Sequence, residues 1–224
     1  MTYTDDFLRQ CPLLKDLNKI ALSYAWAYVE GNLVYDHPFH SINDPFSENF
    51  FEKRYNLFQL AQNKRHIMEI GFNAGHSTLI MLLANPAAFF VLFDLNYHKY
   101  TNPCFCFLKQ TYPDMSINYG DSKITIPEFA LQGTKFDLIH VDGGHDIEHA
   151  SLDFENCKKL STKDTTIIFD DTVPENHLDE LLEEKIKRNL IKPVDRNALG
   201  LKSNLSQTIF NYIFEGALDE LHCH

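Results

Sequence analysis

Three aspartates follow two short apolar runs and are the residues of this chain best placed to do chemistry. Asp142 ends the run FDLIHVD, and Asp170 and Asp171 end the run TTIIFDD. In an open α/β sheet the carboxyl ends of the strands border the ligand crevice, so these carboxylates should face whatever is bound. The chemistry of the chain should therefore lie at that edge of the sheet.

A glycine-containing turn lies upstream of these acids. The segment MEIGFNAG runs from an apolar strand through Gly71 and Gly75 into an apolar stretch at helical spacing. Glycine lets the backbone approach a ligand closely, and the helix that follows offers its N-terminal N–H groups. A dinucleotide-binding fingerprint would also need glycines at the positions of Asn73 and His76. The pattern therefore argues against hydride transfer from a nicotinamide cofactor.

Two further polar sites follow the second and third predicted strands. The strand FFVLFD ends in Asp94, about where doubly wound folds place an acid for ribose hydroxyls, and INYGDS supplies Asp121 and Ser122. A carboxylate suits that task because it can accept two hydrogen bonds from a vicinal diol. Each residue alone would also fit an ordinary loop, but their order along the chain favours a nucleoside-binding sheet.

Taken in order, these motifs resemble those of class I S-adenosylmethionine-dependent methyltransferases. The spacing of the aspartates, with one helical segment at 146–160 between them, resembles the metal-dependent O-methyltransferases, above all the macrolide-sugar branch and more distantly the catechol branch. The resemblance implies that Asp142, Asp170 and Asp171 hold Mg²⁺ or a similar divalent ion, for which hard oxygen ligands are suitable. It also implies a cofactor site made of Glu69, Gly71, Asn73, Gly75, Ser77, Asp94, Asp121, Ser122 and Asp142.

The residue three positions after Asp142 sets the expected base and acceptor. The catechol enzymes have lysine there, whereas this chain has His145 in VDGGH, which resembles the sugar and antibiotic branch. Histidine titrates near neutrality and can take a proton from a metal-activated hydroxyl. We therefore expect His145 and Asp142 to be catalytic and the acceptor to be a sugar or sugar-containing small molecule. A phenolic acceptor, a nicotinamide-dependent oxidoreductase and a catalytically silent cofactor-binding subunit remain alternatives.

Composition narrows the class of protein. The 224 residues, 44% hydrophobic and 13% aromatic, are enough to bury a complete sheet core. A net charge of −11 without a stripe of lysine or arginine argues against a nucleic-acid partner. We expect no membrane partner, because the chain has no long uncharged apolar stretch and its first residues are acidic. Five scattered cysteines indicate reduced thiols, which is typical of a cytoplasmic protein.

Alternating strand and helix patterns predict the fold. From residue 50 onward they indicate a Rossmann-like, doubly wound α/β sheet of seven strands. The last two apolar runs, LIKPVD and SQTIFNYIF, have no helix between them, so the last strand should be antiparallel. Residues 50–224 are accordingly predicted to form the S-adenosylmethionine-binding domain, with a predicted helix near 177–189.

Residues 1–49 form a predicted N-terminal helical extension. Apolar residues at helical spacing across 5–30, ending with Tyr24 and Tyr28, indicate one amphipathic helix, which could also mediate a homo-oligomer. The proline-punctuated segment after it could close over the substrate as a lid, with four residues facing the acceptor: Tyr35, His37, Phe39 and His40. The alternative is a connector that Phe39 and Phe46 anchor to the core.

Overall fold

The computed structural model describes residues 2–36, 39–144 and 146–214. Its seven strands are β1 (His66–Ile70), β2 (Phe89–Asp94), β3 (Met115–Tyr119), β4 (Leu138–Val141), β5 (Thr166–Asp170), β6 (Ile191–Pro193) and β7 (Gln207–Tyr212). They lie in the order β3-β2-β1-β4-β5-β7-β6. The first five strands are parallel, and β7 runs antiparallel to both β5 and β6. The predicted Rossmann-like sheet with an antiparallel last strand is thus confirmed.

Helices cover the sheet and connect its parallel strands. They are α1 (Asp5–Gln10), α2 (Pro12–Tyr24), α3 (Phe51–Ala61), α4 (His76–Ala84), α5 (Thr101–Thr111), α6 (Ser122–Ala130), α7 (Ile147–Lys159) and α8 (Leu178–Lys187), with short 3-10 turns at Glu48–Phe50 and Pro174–Asn176. None of the helices in the described part of the chain has both the length and the apolar character needed to cross a bilayer.

Two hydrophobic clusters pack on opposite faces of the sheet. Ile67, Phe90 and Leu138, which are register partners on three strands, belong to one cluster. The next residue of each strand belongs to the other cluster, because successive side chains of a strand point to opposite faces. Burial on both faces explains why these strands are continuous apolar runs in the sequence.

The N-terminal extension contains two helices rather than one. The chain breaks at Pro12, which has no backbone N–H and starts α2 at its first position. The buried side of α2 carries Leu14, Leu17 and Ala21, as the spacing predicts. The predicted stripe was wrong at its end, since the helix stops at Tyr24 and the side chains of Tyr24 and Tyr28 are exposed.

The aromatic residues of the segment that follows pack into the core. The rings of Tyr35 and Phe39 stack with centroids 4.1 Å apart, and Phe46 packs edge-on against Tyr35. Asn18 Nδ2 donates a hydrogen bond of 2.7 Å to the Tyr35 hydroxyl. These contacts favour the connector over the lid, and the expectation that Tyr35 and Phe39 face substrate was wrong. His40 is exposed, and position 37 lies outside the described residues.

A buried arginine ties the extension to the sheet domain. Arg54 of α3 is fully buried and its Nη2 lies 2.7 Å from Asp5 Oδ2. The same guanidinium donates to the carbonyl oxygens of Leu33 and Ser47, at 2.8 and 2.9 Å. Residues of the extension and of the sheet share one hydrophobic cluster. The predicted boundary at residues 49 and 50 therefore crosses a continuous core, and this anchoring holds α3 firmly against the sheet.

Candidate active site

The loops after β1 and β4 meet where the strand order reverses, which is the usual ligand position in such sheets. Gly71 has a φ of +92°, and a Cβ built on it would lie 1.9 Å from the carbonyl oxygen of Asp142. Asp142 N donates to the Ile70 carbonyl at 2.9 Å, and Gly71 N donates to the Phe93 carbonyl at 2.8 Å. Only glycine permits this approach, which brings Asp142 beside the glycine turn.

A cavity of about 390 Å³ opens beside the ends of β2 and β3. Its lining includes the predicted cofactor residues Gly71, Asn73, Asp94, Asp121 and Ser122. Asp94 accepts hydrogen bonds from the backbone N–H groups of Asn73 and Asn96, both at 2.7 Å. Burial raises the pKa of Asp94, and these two bonds oppose the rise. The tertiary structure thus gathers five predicted cofactor residues around one cavity, which we call the nucleoside cavity.

A second cavity, of about 490 Å³, adjoins the first and shares Gly71, Asn73 and His98 with it. All three predicted aspartates line it, together with Ser77, which was also predicted to bind cofactor. Residues from the N-terminal part of the chain complete the wall: Glu30, Gly31, Asn32, Leu33, Phe50 and Lys53. We call this space the acceptor cavity. The expectation that the strand-end acids face one ligand space agrees with this geometry.

Lys53 of α3 bridges two of the aspartates. Its side chain is 3% exposed, and its Nζ lies 2.6 Å from Asp170 Oδ1 and 2.8 Å from Asp171 Oδ1. Burial favours loss of the lysine proton, but the charges of the two carboxylates hold the pKa of Lys53 above its usual range. Asp171 adopts a φ of +51°, and its backbone N–H donates to Asp170 Oδ1. This turn brings both carboxylates to the same ammonium group.

His140 of β4 connects the acids to a buried glutamate. Its Nδ1 lies 2.9 Å from Glu69 Oε1, and its Nε2 lies 3.5 Å from Asp170 Oδ2. Burial acts to lower the pKa of His140, but the neighbouring carboxylates of Asp170 and Glu69 raise it to about 10. This environment favours the protonated imidazole. Thr78 donates to the other carboxylate oxygen of Glu69, which is fully buried.

The predicted residues Glu69 and Gly75 line neither cavity. Glu69 uses both oxygens inside the core, so it acts on His140 instead of reaching a cofactor. Gly75 has a φ of +82°, and a Cβ there would lie 2.6 Å from the ring of Phe72. Both residues shape the glycine turn, and their assignment as cofactor contacts stays a prediction. His145 lies outside the described residues, so its role stays a prediction.

Asp142 and Asp170 have opposite electrostatic environments. Burial raises the pKa of Asp142 above its ordinary value, and the nearby charge of Asp170 adds to the effect. Burial would also raise the pKa of Asp170, but the hydrogen bond to His140 and the charge of Lys53 hold it below its usual range. Pairs of carboxylates separated in this way can divide acid–base work between them. The environment of Asp170 favours its charged form, and that of Asp142 favours its protonated form.

The predicted Mg²⁺ ligands do not fit that ion as they are arranged. Mg²⁺ binds oxygens at about 2.0–2.1 Å in octahedral geometry, and the Lys53 ammonium already lies between the oxygens of Asp170 and Asp171. His140, Asp142 and Asp170 offer ligand atoms within 4.8 Å of one another. However, one of these three ligands is an imidazole nitrogen, and Mg²⁺ prefers oxygen. The predicted magnesium site is therefore not confirmed.

Several residues of the site were not anticipated from the sequence. Lys53 and His140 lie within apolar patterns that predict core packing, and Glu30 and His98 stand in loops. His98 stacks on Tyr100 with centroids 4.8 Å apart, and its Nε2 lies 3.7 Å from Glu30 Oε2. The sequence carries one signal, a lysine, an arginine and an asparagine within four positions. The structure shows that α3 buries all three. Buried polar residues so close together require partners elsewhere in the fold.

A family model described as a methyltransferase domain matches residues 68–172. The match includes the glycine turn and the acids after β2, β4 and β5, which are the residues that line the two cavities. Residues 68–172 of this chain thus carry a methyltransferase domain. Among curated proteins, none matches the chain. The family match favours a methyltransferase over the nicotinamide-dependent alternative.

Solved structures share the fold of this chain at low sequence identity. Cofactor-bound Rv0187 from MTB is 15% identical, with 95% of this chain and 96% of that chain covered and a TM-score of 0.66. The O-methyltransferase TomG from Streptomyces achromogenes, in complex with SAM, is 14% identical, with coverage of 92% and 91% and a TM-score of 0.62. Apo CalS11, a TDP-rhamnose 3'-O-methyltransferase of calicheamicin biosynthesis, is 16% identical, with coverage of 71% and 76% and a TM-score of 0.55.

Proposed function

We propose that this methyltransferase transfers a methyl group from S-adenosylmethionine to a hydroxyl of a sugar or sugar-containing small molecule. The observation that carries the proposal is the polar acceptor cavity next to the nucleoside cavity. Its wall includes three aspartates together with Glu30 and Asn32. Carboxylate and amide oxygens can accept hydrogen bonds from several hydroxyls of one acceptor. The similar structure CalS11 is described as a TDP-rhamnose 3'-O-methyltransferase, which is the same kind of acceptor.

The two cavities fit the two ends of the cofactor. Asp94, Asp121 and Ser122 would hold the nucleoside, and Asn73 and Ser77 would lie along the methionine end. The nucleoside cavity is of the size that small-molecule ligands occupy in proteins. When bound, the cofactor supplies a methyl carbon that passes to the acceptor oxygen, while the electron pair of the broken carbon–sulfur bond stays on sulfur. The shared wall at Gly71 and His98 lies between the two ligand spaces.

Proton removal from the acceptor hydroxyl is assigned to the loop after β4. We propose His145 as the general base, because imidazole titrates near neutrality. Asp142, three positions earlier, lines the acceptor cavity and would orient the hydroxyl or take its proton. His145→Ala should lower the rate of methyl transfer and flatten its pH dependence. An unchanged pH profile in that variant would remove the histidine from the mechanism.

The sequence predicts a requirement for Mg²⁺, and the position of Lys53 argues against it. A divalent ion between Asp170 and Asp171 would first have to displace Lys53 from its contacts with both carboxylates. The carboxylates would then be available as hard oxygen ligands. Mg²⁺ dependence therefore belongs to the proposal only if the lysine can leave, which is a measurable property.

A phenolic acceptor is the second candidate, and one observation favours it. Phe50 lines the same acceptor cavity, and its ring could pack against a flat acceptor. The expected partner in either case is a small molecule and not a nucleic acid. A homo-oligomer through the N-terminal helices stays a prediction.

Calorimetric titration with S-adenosylhomocysteine, with NAD as the control ligand, tests the cofactor. A radiolabelled methyl-transfer screen with glycosides and nucleotide sugars on one side and catechols on the other then tests the acceptor. Methylation of sugars in preference to catechols would support the proposal, and the reverse preference would move it to the phenolic candidate. Binding of S-adenosylhomocysteine without methylation of any acceptor would favour the catalytically silent alternative. Absence of adenosyl binding would refute the proposed function.

A further inference from the structure

Lys53 is held in the site by the fold. It lies in α3 immediately before Arg54, whose guanidinium is fully buried and bonded to the N-terminal extension. On the other side of the helix, Asn56 Nδ2 donates to Gln207 Oε1 at 3.0 Å. Two buried anchors therefore fix the helix that carries Lys53. Its position between the aspartates is not that of a flexible surface lysine.

The ammonium group occupies the place that a metal would need. One atom, Lys53 Nζ, lies within 2.8 Å of an oxygen from each of Asp170 and Asp171. An ion that bound the same two oxygens would have to lie between them, at the same place as the ammonium. Lysine provides a compact positive charge with three N–H donors, of which these carboxylates use two. Lys53 also lines the acceptor cavity, so its charge faces the acceptor.

We propose that Lys53 is a built-in cation that neutralises Asp170 and Asp171 in place of a divalent metal, so that this methyltransferase works without one. The inference rests on the proposed function, because it assigns the charge that faces the acceptor. It also explains how two acids on consecutive residues can lie side by side, one buried and one partly exposed. The lysine charge offsets them, whereas two adjacent unpaired carboxylates would repel each other.

A matched set of variants tests the inference through metal binding alone. Mn²⁺ is the probe, and the electron paramagnetic resonance signal of the free ion reports binding to the whole protein in the presence of S-adenosylhomocysteine. Wild-type protein should bind no Mn²⁺ at these acids. Lys53→Ala should bind the ion about tenfold more tightly or better, because the carboxylates lose an adjacent positive charge. The double variant Lys53→Ala with Asp171→Asn should lose the gained binding.

Lys64→Ala is the matched control. The Lys64 side chain is half-buried at the opposite edge of the sheet, where its Nζ donates to the Asp137 carbonyl at 3.0 Å and to the Thr166 hydroxyl at 3.2 Å. Its removal also deletes a buried lysine contact but leaves the acceptor cavity intact. This variant should bind no more Mn²⁺ than wild type, and a gain equal to that of Lys53→Ala would overturn the inference.

Two other results would overturn it. The first is Mn²⁺ binding by wild-type protein that disappears in Asp171→Asn. The second is no gain of binding in a Lys53→Ala variant that is folded by circular dichroism and still binds S-adenosylhomocysteine. If Lys53→Ala does not fold, the comparison of wild type with Asp171→Asn decides alone, and absence of wild-type binding supports the inference. Calorimetry with S-adenosylhomocysteine tests the proposed function separately, because a metal-binding wild type that also binds this ligand would refute only the lysine assignment.

Discussion

Substitution of Gly71 by alanine should both destabilise the protein and disturb its site. The new Cβ would lie 1.9 Å from the carbonyl oxygen of Asp142, whereas real Cβ atoms stay at least 3.0 Å from such neighbours. The ends of β1 and β4 would have to separate by about 1.1 Å, the difference between these two distances. That movement pulls on two backbone hydrogen bonds, from Gly71 to Phe93 and from Asp142 to Ile70.

The size of the effect follows from these contacts. Loss of two hydrogen bonds costs about 2 kcal/mol, and alanine at a φ of +92° adds about 1 kcal/mol. We therefore expect Gly71→Ala to lower the free energy of unfolding by about 3 kcal/mol or more. Gly133→Ala is the matched control, because Gly133 has a φ of +75° and nothing within 4 Å of its built Cβ. Gly133→Ala should lower the free energy of unfolding by about 1 kcal/mol, because only the backbone conformation is strained.

Urea unfolding followed by far-ultraviolet circular dichroism measures both variants. Trp26, the single tryptophan, is fully exposed and would report poorly on the core. Calorimetry should also show weaker binding of S-adenosylhomocysteine to Gly71→Ala, because the displaced loop borders both cavities. Equal losses of stability in Gly71→Ala and Gly133→Ala would refute the argument that the two loops approach too closely for a side chain.

Three more predictions concern buried ionisable groups. Burial lowers the pKa of His76 to about 4, so below pH 6.5 the unfolded chain binds a proton at His76 that the native protein does not bind. The free energy of unfolding should therefore fall by about 2 kcal/mol between pH 6.5 and 5. Urea titrations of His76→Gln should not show this loss. Glu69→Gln leaves the His140 cation with one fewer charged partner and should cost about 3–5 kcal/mol in the same assay. Asp142→Asn should reduce methyl transfer about a hundredfold or more, while calorimetry shows nearly unchanged binding of S-adenosylhomocysteine.

Each of these three predictions has its own contradicting result. An identical pH dependence in His76→Gln and wild type would show that His76 titrates normally in the native state. Thr78→Val removes a neutral hydrogen-bond donor to Glu69 and is the control for Glu69→Gln. If Glu69→Gln lowers the free energy of unfolding no more than Thr78→Val does, His140 is not a cation. Parallel loss of turnover and cofactor binding in Asp142→Asn would make that residue structural.

The pattern of apolar runs predicts both the sheet and the edge that carries the site. Apolar runs separated by helical patterns lead to a parallel sheet, and in such a sheet the residues after each strand gather at one edge. Asp94, Asp142 and Asp170 could therefore be assigned to one edge of the sheet from the sequence. The antiparallel end was predictable for a similar local reason, since β6 and β7 follow each other without a helix.

Which charged side chains pair inside that site depends on the tertiary structure. Lys53 and Asp171 are 118 positions apart, and no local period or motif records their ion pair. His140 has the pattern of a core residue, yet it lies between Glu69 and Asp170 because neighbouring strands bring all three together. The packing of Tyr35 and Phe39 was open for the same reason, since an aromatic residue in an irregular segment can face the core or a ligand. Local pattern determines secondary structure, whereas the partner of a buried charge depends on long-range packing.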